Sequence, residues 1–207
     1  LITGGIDIQS GSIVGLTSIS IGLLWKDMGL NIWLACLIGL CIGAVCGLIS
    51  GFFVAYTGVQ PMVVTLGGQF LYSGLAIAVT NFSTTESYKG ISGFPESFTQ
   101  IVKGKFFDVI PNQLVIFIFL IVIMYIVLHK TKYGRKIFLV GVNRNAAEYC
   151  GVKSRLVTMS TYVISGMSAS LAGILLTAYL GTAKTDLGKE LTLPIITAVV
   201  LGGTSNL

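Results

Sequence analysis

Asp7 is the residue of this sequence whose position most needs a chemical explanation. It sits in Thr3-Gly4-Gly5-Ile6-Asp7-Ile8-Gln9-Ser10-Gly11-Ser12, directly before 18 uncharged residues, Ile8 to Trp25. A carboxylate at the middle of a membrane helix costs about 2.5–3.5 kcal/mol on insertion scales, so such residues tend to serve a function. Two roles are open. Asp7 or Ser10 caps the helix that follows. Alternatively Asp7, with Gln9, Ser10 and Ser12, lines a path for a polar solute where a broken helix exposes backbone groups. The two roles can coincide. Thr65, Gln69, Tyr72 and Ser73 form a second polar set inside an apolar stretch. They either bond to neighbouring helices or face the same solute, and helix-to-helix bonding is the simpler reading.

Other reactive residues lack the company that catalysis needs. Gly90-Ile91-Ser92-Gly93 resembles a serine-nucleophile element, but it lies in a polar loop and the only His, His129, is far along the chain. Gly181 to Glu190 lacks the spacing of a phosphate-binding loop and has no hydroxyl after Lys189. Cys36, Cys41 and Cys46 are five residues apart. Five residues turn a helix by roughly 140°, so the thiols face different ways and do not form one metal site. No catalytic residue, metal site or cofactor is expected in this chain.

Long uncharged runs must position these groups. Charged residues make up 10% of the 207, against about 25% in a soluble domain. The runs Met28–Thr85, Val109–Leu128, Leu156–Ala183 and Leu191–Leu207 follow the first. A spanning helix needs about 20 apolar residues, and Thr57-Gly58-Val59-Gln60-Pro61 divides the longest run. Six hydrophobic segments result, at about 10–25, 31–56, 61–79, 112–128, 156–180 and 191–203. The first and last are short enough to be half-helices or re-entrant pieces. Period-2 alternation, the mark of a β-barrel, is absent. The expected fold is an all-α polytopic membrane protein. Residues 1–207 form one transmembrane domain, read as incomplete at both ends.

Charge placement orients it. Loop 129–155 holds seven Lys and Arg against Glu148 alone, whereas loop 80–111 is neutral. Basic short loops stay cytoplasmic, which puts 129–155 inside and 80–111 outside. By parity 57–61 is inside, and 26–30 and 181–190 are outside. The net charge of +5 therefore reflects topology rather than affinity for nucleic acid.

Two structural devices stand out. In the inside loop, Asn145 with Glu148 three residues later forms a capping-box pattern, and Ala146, Ala147 and Gly151 suit a short helix with a left-handed stop. That helix either docks on a cytoplasmic partner, which its small alanines would let approach, or merely shortens the loop. Gly39, Gly43, Gly47 and Gly51 recur every fourth residue and predict close helix packing rather than a pathway lining.

The motifs together resemble one family. Gly4 to Ile13 resembles the G-G-I-D-L-S-x-G-S-I signature of ribose/monosaccharide-type ABC importer permeases. Gln60 to Gly67, Tyr133 to Gly141, Asn143 to Val152 and Val199 to Ser205 match further motifs of that family in the same order. Here Ile8-Gln9-Ser10 replaces the usual Leu-Ser-Val, and Gln9 adds a donor and an acceptor. The resemblance implies a bacterial cytoplasmic-membrane permease subunit that translocates a monosaccharide or related small sugar. Its implied partners are cytoplasmic ABC ATPase subunits, an extracytoplasmic sugar-binding protein and a second permease subunit. It also implies that Asn145, Ala146, Ala147, Glu148, Tyr149 and Gly151 form the ATPase-coupling helix. The alternatives are permeases of the same fold for autoinducer-2, nucleosides or branched-chain amino acids, and beyond them a passive channel or secondary transporter.

Overall fold

Caps and breakers set the helix ends. The computed structural model describes residues 2–81, 90–106 and 110–202. Parts of loop 80–111 (82–89 and 107–109) and the end of the last motif (203–207) lie outside the described residues. Helix α1 spans Ser10–Lys26, α2 Ile32–Tyr56 and α3 Pro61–Thr80. Asn31 caps α2 by accepting a hydrogen bond from Trp33 N at 3.1 Å. Gly58, at φ 72°, turns the chain, and Pro61 starts α3 where its missing N–H costs nothing. Then follow α4 (Glu96–Lys103), α5 (Asn112–Tyr125) with a π-helical turn Ile126–Lys130, α6 (Lys132–Val142), α7 (Arg144–Tyr149), α8 (Ser154–Leu180) and α9 (Thr192–Leu201). Four of these are long and apolar enough to cross a membrane: α2, α3, α5 with its π turn, and α8. The protein is an all-α polytopic membrane protein.

The two short segments have opposite fates. Every residue of α1 from Gly11 to Gly22 is buried, whereas Thr192 is the buried residue of α9. Small side chains let α1 occupy the centre. Its hydroxyls pair with α8: Thr17 with Ser170 at 2.9 Å and Ser18 with Thr177 at 2.7 Å. Such pairing is required where no water can solvate a polar group.

The described residues of loop 80–111 hold regular elements that its neutral charge did not suggest. Ile91–Ser92 pairs antiparallel with Thr182–Ala183, so two segments assigned to the same side by charge do meet. Amphipathic α4 buries Phe98 and Val102, and Trp25 stacks on Phe94 with centroids 5.1 Å apart. Beyond Ala183 the structure departs from the expected outside loop 181–190. Gly22 of α1 faces Ala183, Gly15 faces the backbone of Thr185, and Gly11 faces that of Gly188. Gly22 and Gly11 are roughly 16 Å apart along the helix axis. The chain therefore returns deep into the bundle as a strap before α9 begins. Only the absence of side chains at these glycines allows the strap to lie flat on α1.

Candidate functional site

Asp7 is fixed by two bonds and caps no helix. Its Oδ1 accepts from Gln9 N at 3.2 Å, and its Oδ2 accepts from the Ser165 hydroxyl at 2.6 Å. The N-cap position of α1 belongs to Gln9, with no side-chain capping bond. The expectation that Asp7 or Ser10 caps α1 is thus corrected: the non-helical segment before the helix places the carboxylate against α8 instead. There Asp7 borders a cavity of about 340 Å³ together with Gly5, Thr161, Tyr162, Ser165 and Met124.

Gln9 and Ser12 of the first set are bonded within the bundle. Gln9 is fully buried, and Ser50 of α2 donates to its Oε1 at 2.6 Å. The Ser50 hydroxyl lies 3.1 Å from the Tyr72 hydroxyl, which donates to the Cys46 carbonyl at 2.9 Å. Ser12 pairs with Ser73 at 3.0 Å. Thr65 is fully buried and donates to the Ile6 carbonyl at 3.1 Å, holding the segment before α1 against α3. Ser10 and Gln69 are half-buried. Asp7 therefore faces the cavity, while Gln9, Ser12 and Thr65 knit α1, α2 and α3 around it.

The glycine stripe faces the neighbouring helices. Gly39 meets Ile21 and Thr17 of α1, Gly43 meets Ser170 and Gly166 of α8, and Gly47 and Gly51 meet α8 at Tyr162 and Met159. The α2–α8 contact is the most extensive in the fold for this reason.

The basic loop 129–155 holds two helices rather than one. Thr131 caps α6 by accepting from Gly134 N at 3.2 Å, and Asn143 caps α7 by accepting from Ala146 N at 3.1 Å. Asn143, not Asn145, is thus the N-cap, and no capping box forms. Glu148 instead accepts from the Ser154 hydroxyl. Gly151, at φ 77°, ends α7 in the expected left-handed turn, with Val152 N bonded to the Ala147 carbonyl at 3.0 Å. Ala147 is 1% exposed and packs with Ile137, Val140 and Val157, so it offers no room to a partner. Asn145, Ala146 and Glu148 are exposed, and Tyr149 is 93% exposed.

Arg144 and Tyr133 are anchors that the sequence did not reveal. Arg144 donates to the Ala55 carbonyl at 3.3 Å and to Ser154 Oγ at 3.4 Å, and it stands 3.8 Å from Glu148. The Tyr133 hydroxyl is 2.7 Å from Ser160 Oγ. These contacts join α7 and α6 to the ends of α2 and α8. Arg144→Ala should free α7. Two lost bonds worth about 1 kcal/mol net together correspond to roughly fivefold faster amide exchange across 145–149, readable by hydrogen-exchange mass spectrometry.

Among the described residues, no cluster of His, Cys, Asp and Glu is placed to hold a metal ion. The sequence pattern of one protein family, described as branched-chain amino acid transport system / permease component, matches residues 1–207. Similar curated proteins are named autoinducer 2 import system permease protein LsrD. That of Salmonella typhimurium (strain LT2) is 37% identical over 205 residues. Those of Yersinia enterocolitica and Escherichia coli (strain SMS-3-5) are 38% identical over 205 and 207 residues. Each alignment covers 99% of this chain and 61–62% of the relative, so the chain spans less than two thirds of their length. No solved structure matches.

Proposed function

Because this chain belongs to the permease family of branched-chain amino acid transport systems, a family of multi-pass inner-membrane proteins, we propose that it is the solute-conducting part of an ABC importer for autoinducer-2 or a closely related small polyhydroxylated solute. The observation that carries this reading is the identity of 37–38% to autoinducer 2 import permeases across 99% of the chain. The Gly4-Gly5-Ile6-Asp7 signature keeps monosaccharides as the second reading. ATP hydrolysis belongs to separate cytoplasmic subunits, and an extracytoplasmic binding protein delivers the solute to a pair of permease subunits.

The chain's own residues give each step a place. Asp7 presents a carboxylate to the cavity between α8, the end of α5 and α6. Helices α6 and α7 offer the exposed inside surface on which an ATPase docks, and Arg144 and Tyr133 tie that surface to α2 and α8. The π turn at Ile126–Lys130 gives α5 a local register change at its inside end, a feature frequent at functional sites.

The test reconstitutes the full-length protein with its cognate ATPase and binding protein and measures uptake of autoinducer-2, ribose and leucine. Saturable, ATP-dependent uptake of autoinducer-2 is expected. Preference for ribose would move the assignment to the second reading. Preference for leucine, or uptake by the permease without ATP, would overturn it. Orientation is tested separately with a membrane-impermeant thiol reagent in a Cys41→Ala background. Exposed Cys150 should react from the cytoplasmic side only, and a Ser97→Cys variant from the opposite side only. Reversed labelling would refute the charge-based orientation.

A further inference from the structure

The Tyr162 hydroxyl is buried and has no hydrogen-bond partner. Tyr162 is 5% exposed, and it lines the same cavity of about 340 Å³ as Asp7. A buried polar group left unmade costs about 1–3 kcal/mol, and a phenylalanine of the same shape would remove that cost. The chain also makes room for this hydroxyl. A β-carbon on Gly5, another lining residue, would lie 2.6 Å from it. Asp7 is only partly committed. Each of its oxygens accepts one protein hydrogen bond, although an ionised carboxylate has about four acceptor sites.

The remaining walls suit a small solute. Met124, Val127 and Leu128 close one side with apolar surface, and Thr161 and Ser165 add hydroxyls on the other. Small-molecule sites occupy about 300–1,000 Å³, with apolar walls and a few convergent polar groups. A cavity at the lower end of that range holds one small solute. Thr161 lies seven residues into α8 from its inside end, roughly 10 Å along the axis, so the cavity is in the inner half of the bundle.

The geometry points to a binding station for one small polyhydroxylated solute, in which the Tyr162 hydroxyl and the Asp7 carboxylate engage solute hydroxyls. Tyr162 can donate or accept, and an ionised Asp7 accepts. The pair therefore selects a ligand bearing at least one hydroxyl donor, and discriminates against an apolar amino-acid side chain. This inference rests on the proposed function and adds the residues that set its specificity.

The experiment compares wild type and Tyr162→Phe in the full reconstituted importer, with autoinducer-2 and ribose as solutes. The expected result is a KM for uptake raised at least fivefold, with thermal stability unchanged or higher and co-purification with the ATPase retained. A Tyr162→Phe protein that is more stable and transports as wild type would overturn the inference, because the hydroxyl would then be only an unmet cost. Should Tyr162→Phe fold poorly, Val127→Trp fills the cavity from the opposite wall. Lost uptake with intact ATPase binding supports the station, and normal uptake overturns it. A wild-type protein that takes up neither solute would instead overturn the functional assignment, and the station with it.

Discussion

Gly47→Ala should destabilise the protein by about 2–3 kcal/mol, while Gly67→Ala leaves it unchanged or slightly more stable. The same methyl group is added to a helix in both cases. At Gly47 it would meet the backbone of α8, with the Tyr162 carbonyl carbon and Val163 Cα both at 2.9 Å. Backbone atoms cannot rotate away, so α2 and α8 must separate, and overpacking of this kind costs about 1–3 kcal/mol. The separation would also strain the Ser50–Gln9 bond that holds the start of α1. At Gly67 nothing lies within 4 Å, and replacing a mid-helix glycine with alanine returns about 0.5–1 kcal/mol. Thermal unfolding in detergent of the full-length variants checks the contrast. Equal effects at the two positions would show that α2 and α8 do not touch as described.

Tyr149→Glu should cut ATP-driven uptake at least tenfold without loss of stability. Tyr149 is 93% exposed at the end of α7 and contributes almost nothing to the fold. A surface change of this kind usually stays within about 0.5 kcal/mol. An aromatic side chain so exposed is well placed as an anchor in a partner's pocket, and a carboxylate there would be costly to bury. Co-purification with the ATPase and thermal unfolding are the two readouts. Retained co-purification would remove α7 from the docking surface. Ala147→Arg would not serve the same purpose. Ala147 is packed under α7 against Ile137, Val140 and Val157, so a long cation there would disrupt the inside unit itself.

Much of the helical plan is legible in the chain alone, because lipid imposes simple rules. Apolar length sets spans, Pro61 and Gly58 set a turn, and lysines and arginines set the inside. The expected segments 31–56 and 61–79 differ from α2 and α3 by one residue at a boundary. Local rules were weaker in loops. The Asn145–Glu148 spacing suggested a cap, but Asn143 has the extended backbone from which a side chain can reach Ala146 N. Helix α4 was invisible to a charge count, since its pattern of Phe98 and Val102 sits among polar residues.

The sequence by itself determined that this is a helical membrane protein and that Asp7 is an unusual charge, and its basic loop carries the charge from which an orientation is predicted. Those are one-dimensional properties, fixed by hydropathy and by the cost of moving charge into lipid. Only the tertiary structure decided where the polar groups point. Ser165 lies 158 residues from Asp7 and Tyr133 lies 27 from Ser160. Packing therefore chose which side chains meet. It buried Gln9, Ser12 and Thr65 in bonds between helices, turned Ala147 inward, drew the 184–191 strap down along α1, and left Asp7 and Tyr162 facing one cavity. In a bundle with so few charges, a buried polar atom either finds a partner on a neighbouring helix or is left without one, as the Tyr162 hydroxyl and Gln9 Nε2 are. No local pattern distinguishes the two, because the distinction depends on which helix lies opposite.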